Sequence, residues 1–464
     1  MHSKAKKIAE RIRTHSEVKI CSHIDADGIA AAGIASLALD GIGVEHSVTF
    51  VKNLDEQVIE ELRNENKELV WFTDLGSGSL EMLSGLNYVI TDHHVPSDVQ
   101  SRVDERQILE VNPHRVGKDG AVDICGAGTT YLVAVALDRI NTELAFLAVL
   151  GAIGDMQDQS NLKLVGTNRT IMEDGRRAGV LDWVMDARFF GRETKPIPRL
   201  LQYSNDPLLP GLTGNWHACR EFLEGIEVPL KNLNGYRRWI DLAPFESERI
   251  LSELENLVVA SGRDRDHARR LVGEVYLFPR EEEGTELHEA KEFATLLNAC
   301  GRYEKANIGF ALCKGDREEA LDEAHILLKG HRGALVDSLR VAKNAGVVKM
   351  DYIQYFHGGS KILDSVVGIT AGMLMGSGEV DSGLPLFAFA NSEDGVKVSA
   401  RGTRELVSKG LDLSIVMNTV CEKLGGVGGG HNIAAGATIP YGKEEELLEI
   451  ADKIVGNQMG KAVA

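Results

Sequence analysis

Short apolar runs alternate with amphipathic stretches over the first third of the chain. VKICS, EHSVTF, ELVWFTD, NYVITD and QILEVNP are rich in β-branched and aromatic residues. Between them lie segments such as GIAAAGIASLAL and LDEQVIEELRNEN, whose apolar residues recur at three- and four-residue spacing. This alternation predicts an α/β fold with right-handed crossovers and a doubly wound, mostly parallel sheet between about residues 17 and 155. ELAFLAVLGAIG, at the end of that stretch, reads as a helix instead.

From about 160 to 340 the pattern changes to long amphipathic repeats, SERILSELENLVVASG and EALDEAHILLKGHRGALVDSLRVAKNAG among them. They predict a mostly helical connecting or inserted region, with Pro196, Pro198, Pro207 and Pro210 breaking its early part into loops and making 190 to 215 the expected hinge. Beyond about 345, VVKMDYIQYF, PLFAFANSED and VKVSARG restore the strand pattern and predict a second, smaller α/β domain that ends in a glycine-rich loop, Gly425 to His431. The division expected from the pattern is 1–195, 196–344 and 345–464.

Composition supports a globular chain, 43% hydrophobic and 26% charged, with no apolar run near the ~18 residues a membrane span requires. The basic N-terminus lacks the apolar core of a secretion signal, which points to a cytoplasmic protein without a membrane partner. Six dispersed cysteines form no CxxC pair, which argues against a zinc ribbon or redox dithiol. The net charge of −18 disfavours coating of duplex nucleic acid. It disfavours cleavage of a short single strand much less, because bound divalent ions reverse the sign locally.

The candidate chemistry lies where the predicted strands end. His23, Asp25 and Asp27 follow VKICS, Asp74 closes ELVWFT, Asp92, His93 and His94 follow NYVIT, and Asp155 ends the helical segment. Ligands of open α/β sheets gather beyond the carboxyl ends of the strands. Imidazoles mixed with carboxylates suit two divalent ions such as Mn²⁺, and an Asp at a central strand end, such as Asp74, can bridge them. An extended backbone over 23–27 would point residues 23, 25 and 27 to one face. His94 is a candidate for substrate phosphate. In the C-terminal region, Gly428, Gly429, Gly430 and His431 fit a phosphate-holding nest, and Ser399 and Arg401 offer a hydroxyl and a bidentate cation.

These residues resemble the DHH phosphoesterase superfamily. HIDADG, Asp74, Asp92-His93-His94 and GAIGD match its N-terminal motifs, and GGGHNIAAGA its associated C-terminal domain; LLNACGRYEKANIGFALCKGD looks most like archaeal RecJ-like nucleases, including the GINS-associated nuclease. The resemblance implies that His23 and Asp25 hold one Mn²⁺ (or Mg²⁺), that Asp27, His93 and Asp155 hold the other, and that Asp74 is shared. The family's Ser-X-Arg-Ser stretch reads Ser399-Ala400-Arg401-Gly402 here, lacking the second Ser. The implied activity is a single-strand-specific exonuclease in DNA replication or repair, with the strand held between two domains and the GINS complex as partner. Alternatives are cleavage of short oligonucleotides or of RNA from its 3′ end, hydrolysis of pyrophosphate or dinucleotides, and an inert helicase-associated scaffold.

Overall fold

The computed structural model describes residues 1–97, 109–204, 206–262 and 265–460. They fall into two compact units, Met1–Leu328 and Lys329–Ala464.

The first unit is built on five parallel strands in the order β2-β1-β3-β4-β5: β1 (Glu17–His23), β2 (Glu45–Val51), β3 (Val70–Thr73), β4 (Tyr88–Thr91) and β5 (Glu110–Val111). All five expected strands are present; of QILEVNP, Gln107 and Ile108 lie outside the described residues. Burial on both faces explains the nearly continuous apolar runs. Ile20 and Trp71 face one core, under α1 (His2–Ile12), α2 (Ala26–Ile42), α4 (Gly126–Leu137) and α5 (Ala145–Gly154). Their neighbours Cys21 and Phe72 face the other, with Ile59 and Leu62 of α3 (Glu56–Glu65). The alanines of α2 permit close approach to its neighbours, and almost every residue from Ala26 to Leu39 is buried.

After α6 (Thr167–Ala178) the chain enters a module through β6 (Asp182–Ala187) and leaves it through β9 (Val272–Leu277), which pair antiparallel with Ala187 opposite Val272. The module has its own core, including Leu200, Leu223, Trp239, Ile250 and Leu254, and a small hairpin of β7 (Lys231–Asn232) and β8 (Gly235–Tyr236). SERILSELENLVVASG forms the helix Pro244–Ala260, and Pro198 sits in the first turn of a short helix rather than in a loop, where its missing N–H costs nothing. The chain then returns to the main core through helices Ala290–Arg302 and Ala306–Cys313. No described helix is long and apolar enough to cross a membrane.

The second unit is a six-stranded mixed sheet in the order β10-β11-β12-β13-β15-β14. Its strands are β10 (Val348–Lys349), β11 (Gln354–His357), β12 (Leu386–Ser392), β13 (Gly395–Arg401), β14 (Val427–Gly430) and β15 (Ala434–Ile439). Phe387 and Phe389 face the helices Leu413–Leu424 and Glu444–Gly460, and Ala388 and Ala390 face the helix Asp364–Ser377. The glycine-rich segment departs from the expected loop. Val427–Gly430 is an edge strand paired with β15, because a side chain at Gly428 would meet Cys421 Sγ at 2.6 Å and one at Gly430 the backbone of Ala435 at 2.6 Å. Glycine is required there for close packing in a sheet.

Candidate metal centre

The sheet's carboxyl-terminal rim gathers the acidic and histidine clusters. His23 is the last residue of β1, Asp25 caps α2 by accepting from Gly28 N at 3.0 Å, and Asp27 lies in the first turn of α2. The extended run expected over 23–27 is therefore a strand end followed at once by a helix cap. The turn is tight enough that a Cβ on Gly28 would lie 2.2 Å from His23 O. Asp25 and Asp27 consequently face different neighbours.

Asp74 follows β3 with φ of 59°, a left-handed conformation costing about 1–2 kcal/mol for a residue with a Cβ. The turn places its carboxylate between two groups. Oδ2 lies 3.5 Å from His23 Nδ1, which in turn is 3.1 Å from Asp25 Oδ2. Oδ1 lies 3.3 Å from His93 Nε2, itself 3.1 Å from Asp155 Oδ2 and 3.8 Å from Asp27 Oδ2. Asp155 is the cap residue at the end of α5, the expected helix. Potential donor atoms thus form His23/Asp25/Asp74, Asp27/His93/Asp155 and Asp74/His93/His94, each within 4.8 Å. His94 leaves more than half of its side chain in solvent.

Supporting contacts fix these side chains. Asp27 is fully buried and accepts from Gly126 N (2.6 Å) and Ala127 N (2.9 Å), the first amides of α4. Asp92 accepts from the backbone N–H of Ser77, His93 and His94 and lies 2.8 Å from His94 Nδ1, so it orients the loop. Asn112 Nδ2 donates to Ser77 Oγ and to His94 O, both at 2.9 Å, and Thr129 Oγ1 donates to Gly126 O inside α4. These two serve the loop and the helix.

Charge in the centre is one-sided. Burial pulls His23 and His93 towards neutrality, yet the carboxylates Asp25 and Asp74 around the first, and Asp155 and Asp74 around the second, hold both well above the usual imidazole range. Burial, then Asp74 and Asp155, push Asp27 up. Asp74 Oδ1 is buried without a hydrogen-bond partner. Crowded carboxylates with two imidazoles among them, and a buried carboxylate oxygen that makes no hydrogen bond, are the environment a divalent cation satisfies by taking the place of the imidazole protons, so the donor set fits Mn²⁺ or Mg²⁺.

One basic residue escaped the sequence reading. Asn298 Oδ1 accepts from Ala26 N at 3.1 Å, and a Cβ on Gly301 would lie 2.1 Å from Ile24 O, so the end of helix Ala290–Arg302 abuts the first cluster. That contact puts Arg302 beside Asp25; burial draws its guanidinium below the usual range, against the pull of Asp25. Its only signal in the sequence was the segment LLNACGR, which no local spacing ties to residue 25.

In the second unit, Ser399 and Arg401 lie on β13, opposite Gly436 and Ala434 of β15. Gly368 on the adjoining helix makes room for both: a Cβ there would lie 2.7 Å from Arg401 Nη2 and 2.8 Å from Ser399 Oγ. Burial lowers the guanidinium's pKa. His431 is exposed at the end of β14.

Comparison with known proteins agrees with this architecture. A DHHA1 domain model matches residues 353–457 and a DHH-CID domain model residues 189–272, the module between β6 and β9. The uncharacterised protein MJ0831 of Methanocaldococcus jannaschii is 31% identical over 98% of this chain and 97% of its own. The chain belongs to the DHH phosphoesterase superfamily. Its fold is RecJ-like. RecJ from Thermus thermophilus in complex with Mn²⁺ matches with a TM-score of 0.60 at 18% identity, over 98% of this chain and 55% of that one. The chain therefore spans about half of that RecJ. CDC45 from Entamoeba histolytica matches with a TM-score of 0.66 at 11% identity over 98% and 99% of the two chains.

Proposed function

We propose that this DHH protein is a metal-dependent phosphodiesterase that removes nucleotides from the end of a single-stranded nucleic acid. The observation that carries the reading is Asp74, whose two oxygens each face a separate His/Asp group. His23 and Asp25 are assigned to one ion, Asp27, His93 and Asp155 to the other, and Asp74 to both. Two Mn²⁺ (or Mg²⁺) bound there would supply a water activated near neutral pH and positive charge for the phosphate.

The protein's own groups do the rest. His94, oriented by Asp92 and open to solvent, donates to a phosphate oxygen. Arg302 balances charge that develops at the phosphate beside Asp25. In the second unit Arg401, Ser399 and His431, with the Gly428–Gly430 strand, are proposed to contact the substrate backbone. Work at the replication fork with the GINS complex belongs to the same reading.

An end-labelled digestion series with Mn²⁺ tests it, comparing single-stranded DNA and RNA of several lengths with pyrophosphate and cyclic dinucleotides. Release of labelled mononucleotide by the wild type and its loss in Asp74→Asn support the reading. Full hydrolysis by Asp74→Asn refutes it. Binding to GINS with no cleavage of any substrate would make the protein a scaffold instead.

A further inference from the structure

The turn after Asp155 holds His93 from behind. Met156 adopts φ of 57° and closes α5, so that Gln157 turns back towards the sheet rim. Gln157 Nε2 donates to Gly120 O at 2.8 Å, and the same carbonyl lies 2.8 Å from His93 Nδ1. Asn168 Nδ2 donates to Gln157 Oε1 at 2.7 Å, and both amides are 1% exposed. A carbonyl can only accept. Gly120 O therefore requires N–H from His93 Nδ1 and from Gln157, which leaves Gln157 Oε1 as the acceptor for Asn168. The relay commits His93 to a proton on Nδ1 and leaves Nε2, the atom facing Asp27, Asp74 and Asp155, as the ligand atom. Gly120 cannot carry a side chain, since a Cβ would lie 1.9 Å from His93 O.

The other side of the turn is tied to the inserted module. Arg188, the residue after β6, donates from Nη2 to Asp158 Oδ2 at 2.6 Å and is 5% exposed. Gly273 of β9 makes room for it, since a Cβ there would lie 2.3 Å from Arg188 Cδ. Arg270, two residues before β9, donates to Gln159 O at 3.2 Å while pairing with Asp206 inside the module. Both ends of the module thus grip the four-residue turn that begins directly after Asp155.

We propose that Gln157 is a positioning residue for His93, and that the neck of the module, Arg188 just before residue 189 and Arg270 near residue 272, sets the geometry of the Asp27/His93/Asp155 group through this turn. The proposal rests on the two-ion reading of the centre. Removal of Gln157's amide frees the Gly120 carbonyl and His93 together. Release of Arg188 frees Asp158 and lets the turn shift Asp155 and Gln157 in concert.

Stepwise Mn²⁺ affinity by titration calorimetry on the full chain tests this, with the melting temperature of the metal-free protein as the measure of folding. Gln157→Met and Asn168→Asp should weaken one of two binding steps about ten- to a hundredfold and leave the other unchanged. Arg188→Met should weaken the same step by about three- to thirtyfold, and Arg188→Lys should restore much of it. Unchanged affinity in Gln157→Met, or equal weakening of both steps, overturns the positioning role. Unchanged affinity in Arg188→Met overturns the part of the module's neck. Asp155→Asn serves as the control: if it keeps both steps at full strength, the two-ion reading itself fails.

Discussion

Replacing Gly151 by Ala probes the position of Asp27 without altering any proposed ligand. Gly151 lies inside α5, and a Cβ there would sit 2.2 Å from Asp27 Oδ1 and 2.6 Å from Ala127 Cβ. In an unobstructed helix the same change stabilises by about 0.5–1 kcal/mol. Gly41 of α2, with nothing within 4 Å, is such a site and provides the control. At 151 the sign reverses. Asp27 must retreat by roughly 1 Å to reach ordinary contact distance, which disrupts its bonds to Gly126 N and Ala127 N. Overpacking costs about 1–3 kcal/mol and an orphaned buried N–H about 1–3 kcal/mol, against the small helix gain. The net loss is about 3 kcal/mol, or roughly 6 °C in melting temperature at ~2 °C per kcal/mol for a unit of this size. Thermal unfolding of both variants, with and without Mn²⁺, gives the answer. Gly151→Ala as stable as Gly41→Ala would show that Asp27 does not occupy the pocket between α2, α4 and α5.

Other outcomes follow from the same geometry. Arg302→Ala should lower kcat/KM about a hundredfold while two Mn²⁺ still bind, as read by calorimetry beside steady-state kinetics. Arg401→Ala should raise KM and leave Mn²⁺ binding intact; loss of the ion would assign Arg401 a structural task. Glu289 is buried among Arg192, Glu292, Lys291 and Glu193, and burial pushes its carboxyl up to about 8. A raised carboxyl pKa means that the unfolded chain releases its proton first, so stability should fall as pH rises from about 4.5 to about 8 and level off above. Glu289→Gln should flatten that slope in denaturation curves taken across the range. Chelation should lower the melting temperature of the Mn²⁺-loaded protein, with a difference of about 2.7 kcal/mol at a hundredfold excess of ion over Kd.

The parallel sheet was legible because its inner strands are buried on both faces, and an apolar run such as VWFT is then punctuated only where the chain reaches the rim. The same punctuation exposed His23, Asp74, His93 and Asp155. Other features were hidden for physical reasons. Arg302 meets Asp25 through tertiary packing across more than half of the chain, and periodicity carries no such information. β6 and β9 form a two-stranded ribbon, and Val184 and Met185 of β6 are both exposed, so no alternation marks the strand. The run from Gly425 to Gly430 looked like a loop because glycine is usual where φ is positive. At 428 it is instead demanded by the Cys421 sulfur on the neighbouring helix.

The antiparallel pairing of β6 with β9 also bears on how such a chain diversifies. Ala187 and Val272 are direct partners, so the ends of the intervening 189–272 segment emerge side by side. Loop closure grows only slowly with length, by ~0.6 kcal/mol per doubling, so segments of very different size can be grafted at this neck at little thermodynamic expense. A graft that kept Arg188 and Gly273 would inherit the grip on Asp158. Modules could then be exchanged at this neck while the rim residues His23, Asp74, His93 and Asp155 stay untouched.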